Sequence, residues 1–459
     1  MSSQHSRRQF LEAVGAGAAA ASASRMVGAA EGQRESLPNV LVIVADDVGW
    51  ADVGYHDSEI RTPNTDRLAA EGVKLERHYV APMCTPTRVA LLTGRYWSRF
   101  GNTAPSNARV LPYDTVTLAS ALQSMGYDTC ITGKWHLGSK PQWGPRKFGF
   151  NHSHGSLAGG VTPYTHLYKP GQFSVTWHRN EALIEEEGHV TDLITGEAVR
   201  YIEMERPGPF FVYVPFTAAH TPCDEPEDLL AANAHIHPDR RQYAASVTHM
   251  DRGIGEMVDA LERTGQRENT LIVFFSDNGG SRGDDSKNYP DTQPTGRVFG
   301  LNHPLRGWKG QVYEGGIRTP ACVNWPGRLK PAEVDAPLHA IDWMPTLCGL
   351  GDYTPPGDLR WDGTDIWPVL TGESDGDESR VLYCKAPRGR AVALHEGDWK
   401  LIRFEEGERV ELYRLAEDPN ETTDVAGAHP DRVQAMLRTL AEAQATDDSS
   451  LPTDPEDGE

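Results

Sequence analysis

Three continuous apolar runs dominate the hydrophobic pattern. They are Val40-Leu41-Val42-Ile43-Val44, Phe210-Phe211-Val212-Tyr213-Val214 and Leu271-Ile272-Val273-Phe274-Phe275. None alternates with polar residues, so each predicts a strand buried on both faces, as in parallel sheets. Between them apolar residues recur at helical spacing. Thr62-Pro63-Asn64-Thr65 predicts a helix start with Thr62 as N-cap and Pro63 at the first position, and Gly72 ends it. A second helix starts at Asp114 or Thr115, carries Leu118, Ala121, Leu122 and Met125, and stops at Gly126. A long one covers roughly 240–264, with Tyr243, Val247, Met250, Ile254, Met257 and Leu261 on one face. Strands alternating with helices predict an α/β fold with a large, mostly parallel sheet flanked by helices.

Past residue 375 the pattern shortens. Segments 381–385, 390–395, 399–404 and 410–415 are separated by turn signals such as Glu396-Gly397-Asp398, which predicts a smaller C-terminal antiparallel sheet. A helix follows over 430–444, with Val433, Met436, Leu437 and Leu440. Residues 280–300 and much of 139–180 carry no period and predict long loops. The expected organisation is a main domain over 36–375, a C-terminal subdomain over 376–446, and an acidic disordered tail over 447–459.

Composition narrows the function. The chain has 459 residues, with 38% hydrophobic positions and 32 prolines, the balance of a loop-rich globular enzyme. The net charge of −21 argues against nucleic acid as a partner. An anionic substrate would need a locally positive site within that field. Six cysteines, at 84, 130, 223, 322, 348 and 384, show no zinc-ligand spacing and predict mostly reduced, buried thiols. Ser6-Arg7-Arg8-Gln9-Phe10-Leu11 precedes a weakly apolar Ala/Gly-rich stretch, with small residues at Gly28-Ala29-Ala30. Residues 1–35 thus resemble a twin-arginine export signal and linker. That implies passage through the twin-arginine translocase, an exported periplasmic or extracellular protein, and no membrane span in the mature chain.

Polar motifs fall at the ends of the predicted strands, where open α/β sheets place ligands. Asp46-Asp47 follows the first run and Asp277-Asn278 the third. Together they offer hard oxygen ligands, which favour Ca²⁺ or Mg²⁺ over zinc. The run Pro82-Met83-Cys84-Thr85-Pro86-Thr87-Arg88 opens a predicted helix, with Cys84 at its N-terminus and Arg88 one turn on, able to reach back. Gly133-Lys134-Trp135-His136-Leu137-Gly138, His220 after the second run, and Lys309 in Leu305-Arg306-Gly307-Trp308-Lys309 complete the set. Each has a plainer reading alone: a buried thiol, capped turns, a structural histidine, solvated lysines. Arg306, Glu314 and Arg318 read as scaffold. Trp143, Tyr164, His166, Trp177 and His178 are possible sugar contacts, although packing also accounts for them.

Cys84-Thr85-Pro86-Thr87-Arg88 with Gly133-Lys134-Trp135-His136 resembles the paired signatures of the sulfatase family, with the texture of its arylsulfatase B branch. The resemblance spans most of 38–420 and implies an alkaline-phosphatase-like fold. It also implies that Cys84 is oxidised to Cα-formylglycine by formylglycine-generating machinery. One Ca²⁺ would then be held by Asp46, Asp47, Asp277, Asn278 and the modified Cys84. Catalytic roles are implied for Cys84, Arg88, Lys134, His136, His220 and Lys309. The implied substrate is a sulfated carbohydrate or small sulfate ester. Two alternatives stay open: a phosphate or phosphonate ester hydrolase of the same superfamily, and a non-catalytic binder of sulfated glycans.

Overall fold

The computed structural model describes residues 37–452 except 284, 292–299, 352, 358 and 407–408. The expected export signal, part of the 280–300 loop and residues 453–459 lie outside the described residues. The strands are β1 (Asn39–Ala45), β2 (Val73–Leu75), β3 (His78–Tyr79), β4 (Asp128–Lys134), β5 (His152–Ser156), β6 (Trp177–Arg179) and β7 (Ala182–Leu183). They continue with β8 (Phe210–Pro215), β9 (Thr270–Ser276), β10 (Ala321–Asn324), β11 (Ala332–Val334) and β12 (Leu338–His339). Ten of these form one sheet in the order β11-β2-β10-β9-β1-β8-β4-β5-β6-β7. Its centre, β9-β1-β8-β4-β5, is parallel, and antiparallel pairs appear toward both edges. The remaining two strands, β3 and β12, pair separately.

The principal helices are α1 (Pro63–Ala70), α2 (Cys84–Thr93), α3 (Leu118–Ser124), α4 (Val190–Glu203), α5 (Pro238–Arg263) and α6 (Pro430–Gln444). The unbroken apolar run of β1 serves two cores. Val40, Val42 and Val44 pack toward α2 and α3, while Leu41, Ile43 and Ala45 pack toward α1, α4 and α5. Every residue of β1, β8 and β9 is buried, so burial on both faces holds for all three predicted strands.

A second sheet joins β13 (Val381–Lys385), β14 (Ala391–Glu396), β15 (Trp399–Phe404) and β16 (Val410–Arg414), all antiparallel and followed by α6. A buried ion pair ties it to the main body: Lys400 Nζ lies 2.8 Å from Glu314, and Glu421, 2.7 Å from the same ammonium, accepts from Glu314 N at 2.6 Å. Arg306 donates to Tyr413 Oη at 2.9 Å, so Arg306 and Glu314 act as scaffold.

Four expectations change. The helix expected from Asp114 or Thr115 begins at Leu118, because Thr117 Oγ1 accepts from Ser120 N at 3.1 Å and fixes the start there. Thr62 precedes α1 but does not cap it; its hydroxyl donates to Asp66 and accepts from Gly54 N. The 139–180 region holds β5 and β6, whose polar residues join the sheet through backbone ladders, with His178 also bonded to Gly155 O and Ser153 Oγ across the pair. The tail expected to be disordered from Asp447 is packed over its described part. Asp447 accepts from Arg99, Tyr383 and Lys385, and Ser450 N donates to Arg99 O. Asp447 meets two fixed cations, Arg99 and Lys385, which charge counting along the chain does not reveal. All six cysteines are buried thiols, and none forms a disulfide. Among the described residues no helix is long and apolar enough to cross a membrane.

Candidate active site

Parallel pairing brings the C-terminal ends of β1, β9, β8 and β4 to one edge. Ala45 lies beside Ser276, and Val44 beside Pro215. The loops that leave these ends are stitched together by their backbones. Asp46 N donates to Ala218 O at 2.9 Å, and Asp277 N to Ala45 O at 3.0 Å. Asp46-Asp47, Asp277-Asn278, His220 and His136 therefore converge by topology. The N-terminus of α2 and the segment carrying Lys309 close the cluster, with Gly310 N bonded to Pro82 O at 2.7 Å.

The residues expected from the sequence to carry catalysis or hold the cation come together here. Three carboxylates face three cations. Lys134 Nζ contacts Asp46 Oδ2, with both side chains fully buried. Lys309 Nζ lies 2.6 Å from Asp47 Oδ1, and Arg88 Nη2 lies 2.7 Å from Asp277 Oδ2. Arg88 thus reaches across to β9 rather than back over its own helix start. Its other terminal nitrogen donates to Lys134 O at 2.8 Å. Asn278 Nδ2 donates to Asp47 Oδ1 at 2.7 Å, and His220 Nε2 lies 4.0 Å from Asp47 Oδ2. Cys84 Sγ lies 3.4 Å from His136 Nδ1.

Two of these residues adopt left-handed backbone: Asp47 at φ 65° and His136 at φ 56°. Such conformations cost about 1–3 kcal/mol and persist only where the surroundings over-determine them.

Electrostatics follow from burial and pairing. Burial works to raise the Asp47 carboxyl, but Lys309, His220 and the Asn278 hydrogen bond hold it well below the usual carboxylate range. Burial and the neighbouring Asp46 charge push Asp277 up against the pull of Arg88. Burial raises the Cys84 thiol, opposed by Lys134 and Lys309. Burial, then the charges of Lys134 and Arg88, hold the His136 imidazole well below its ordinary value. Burial and Lys309 also lower His220. Both imidazoles are therefore neutral near pH 7. His220 Nδ1 donates to Thr221 O at 2.6 Å, which leaves Nε2 facing Asp47.

The donor set fits a hard cation. Asp46, Cys84 and Asp277 each present a ligand atom, all within 4.8 Å of one another. Asp46 Oδ1 and Asn278 Oδ1 are buried with no hydrogen-bond partner among the described residues. Unsatisfied buried acceptors cost about 1–3 kcal/mol each, and a bound cation would satisfy them.

A cleft of about 280 Å³ opens on Cys84, His136, His220 and Lys309. Its walls contain residues that sequence reasoning missed: Gly159, Tyr168, Lys169, Thr221, Asp285 and Tyr289. A Cβ on Gly159 would stand 2.4 Å from His136 Nε2, so only glycine admits the imidazole. The Gly159-Gly160 pair was a readable sign of close backbone approach. Lys169 and Asp285 sit in loops with no periodic signal. Trp143, His166, Trp177 and His178 are buried in packing, and neither they nor Tyr164 line the cleft. Trp177 stacks on His166 and donates to Glu186. A larger hollow, about 890 Å³, opens at Ser98, Lys385 and Arg403, but no histidine or cysteine lines it. Chemistry, not size, marks the site.

The family model described as Sulfatase matches residues 38–353, and one described as N-sulphoglucosamine sulphohydrolase, C-terminal, matches residues 306–446. Arylsulfatase J of Mus musculus is 33% identical over 90% of this chain and 76% of its own length. The N-acetylgalactosamine-6-sulfatase of Mus musculus is 32% identical over 78% of this chain and 70% of its own length. The solved structure of Ps i-CgsB in complex with k-i-k-neocarrahexaose superposes with a TM-score of 0.81 at 30% identity, covering 91% of this chain and 95% of that one. The chain belongs to the sulfatase family of sulfuric ester hydrolases.

Proposed function

We propose that this chain hydrolyses the sulfate ester of a carbohydrate. Asp46, Asp47, Asp277, Asn278 and residue 84 would hold one Ca²⁺, and residue 84, once converted from cysteine to Cα-formylglycine, would supply the nucleophile. Together these two groups supply a nucleophilic hydroxyl with a second hydroxyl beside it, and positive charge at the sulfate oxygens. Arg88, Lys134 and Lys309 orient the sulfate and neutralise the charge that develops on it. His220, once protonated at Nε2, hands that proton to the leaving alcohol, with Lys309 as a neighbouring donor. His136 Nδ1 points at the position of the Cys84 sulfur and, neutral through burial, is ready to take the proton of the second hydroxyl.

The observation that carries this reading is the charge arrangement around Cys84. Three carboxylates balanced by three cations leave the side chains of the site neutral. A divalent cation makes the site net positive within a chain of net charge −21, as an anionic ester requires. The small cleft suits a chain end or a small fragment. Ps i-CgsB, solved with a neocarrahexaose, and the relative named for N-acetylgalactosamine 6-sulfate support a sulfated carbohydrate. The arginine pair at Arg7-Arg8 supports export to the periplasm or beyond.

Two measurements test the proposal. Mass analysis of the peptide containing residue 84 should show a loss of roughly 18 Da, thiol replaced by aldehyde oxygen. Sulfate and phosphate release should be followed in parallel on 4-nitrophenyl esters and on defined sulfated oligosaccharides, including neocarrahexaose and N-acetylgalactosamine 6-sulfate. Sulfate release that vanishes in Cys84→Ala supports the reading. Phosphate release that exceeds sulfate release, or activity that survives in Cys84→Ala, overturns it.

A further inference from the structure

Opposite the charged floor, the cleft carries a pair that the hydrolysis itself does not use. Lys169 Nζ lies 2.6 Å from Asp285 Oδ2, with both side chains about one-third exposed. The ammonium sits 5.2 Å from the centre of the Tyr289 ring, which meets Tyr168 edge-on at 5.8 Å. Asp285 Oδ1 accepts from the Thr221 hydroxyl, and Thr221 O holds His220 Nδ1. The pair is therefore fixed in the wall beside the leaving-group histidine.

We propose that Lys169 and Asp285 determine specificity by reading free hydroxyl groups on the sugar ring that carries the sulfate. This rests on the carbohydrate sulfatase reading above. An ammonium has three donors and this contact uses one, while a carboxylate keeps spare lone pairs. A donor and an acceptor side by side match two neighbouring hydroxyls, each of which gives and takes a hydrogen bond. Because the pair is net neutral, it offers no charge to a second anionic group. A further sulfate on the same ring would be desolvated against the Asp285 carboxylate. Burial raises the Asp285 carboxyl, but His220, Lys169 and Thr221 outweigh it and hold it low, so the acceptor is ionised. The favoured substrate is a terminal sugar bearing one sulfate.

The test compares the wild type with Lys169→Met, which keeps the apolar stem, and with Asp285→Asn. The substrates are 4-nitrophenyl sulfate, the monosulfated sugar of the panel above that the wild type desulfates fastest, and the same sugar with a second sulfate on that ring. Losing a hydrogen bond to a charged group should lower kcat/KM for the sugar about 10–100-fold. The ratio of sugar to aryl-sulfate kcat/KM should fall at least about tenfold, mainly through KM. The wild type should prefer the monosulfated sugar; Asp285→Asn, which removes the repelling carboxylate, should erase that preference, and Lys169→Met, which leaves the carboxylate unbalanced, should sharpen it. An unchanged ratio, or equal losses on both ester types, overturns the proposal and leaves the pair as a support for His220. Hydrolysis of the aryl ester with no sugar turned over also overturns it. Failure of the wild type on every sulfate ester would instead sink the functional reading.

Discussion

Arg88 and Asp277 form an ion pair with no solvent contact on either side chain, 2.7 Å apart, joining the first turns of α2 to the end of β9. Removing one member of such a pair strands a buried charge and costs about 3–5 kcal/mol. Arg88→Ala should therefore lower the unfolding free energy by about that amount and abolish sulfate release. Adding Asp277→Asn should restore part of the stability but none of the activity, because the stranded charge is gone while the anion contact is still missing. Urea denaturation of the two single variants and the double variant measures the coupling. Purely additive losses would show that the pair does not act as a unit.

The Gly159 backbone passes so close to the His136 ring that a methyl there would overlap Nε2. Gly159→Ala should displace the imidazole. A misplacement of about 1 Å at a reacting group can cost about 100-fold in rate. The expected result is a fall in kcat of that order, with a stability loss of only about 1–3 kcal/mol from overpacking. A variant with normal kcat would show that the ring moves aside without consequence.

The acid limb of kcat/KM should lie below pH 6.5, the ordinary imidazole value. Burial, with the cations Lys134 and Arg88, disfavours the charged form of His136. His136 must be neutral to accept a proton, so activity persists as pH falls until that lowered value is crossed. Lys134→Met removes one of the charges that lower His136, so any residual activity should show its acid limb at higher pH. A limb above pH 7 in the wild type would contradict the assignment.

The site was largely legible because its residues lie within a few positions of strand ends or at a helix start. Val40–Val44 and Leu271–Phe275 announce their strands through unbroken burial on both faces, and parallel pairing then brings Asp46 and Asp277 together without further information. The partner each charge takes was not legible. Arg88 reads as reaching back along its helix, yet it crosses to Asp277, a choice made by tertiary packing. β5 went unread because His-Ser-His-Gly-Ser carries no apolar period and pairs through its backbone. α4 went unread as well, although His189 caps it by accepting from Thr191 N. Lys169 and Asp285 are 116 residues apart in loops, so nothing local joins them.

His249, on α5, is held between two carboxylates: Nδ1 lies 2.7 Å from Glu225 and Nε2 lies 2.9 Å from Asp192. Burial works to lower its pKa, but the two hydrogen bonds and the carboxylate charges win and raise it from 6.5 to about 9. The folded value therefore lies above the unfolded one. The stabilisation is fully present below pH 6.5 and drains away as pH rises toward 9, when the folded protein surrenders the proton. At about 1.4 kcal/mol per unit, the loss across that window is about 3 kcal/mol. His249→Gln has no proton to lose, so its stability should change less over the same interval. Urea midpoints at pH 6 and pH 9.5 for both proteins measure the difference. A wild type no more alkali-sensitive than His249→Gln would mean that Glu225 and Asp192 do not hold a charged imidazole. In that case the two carboxylates would bond a neutral imidazole, and their contribution to stability would not depend on pH in this range.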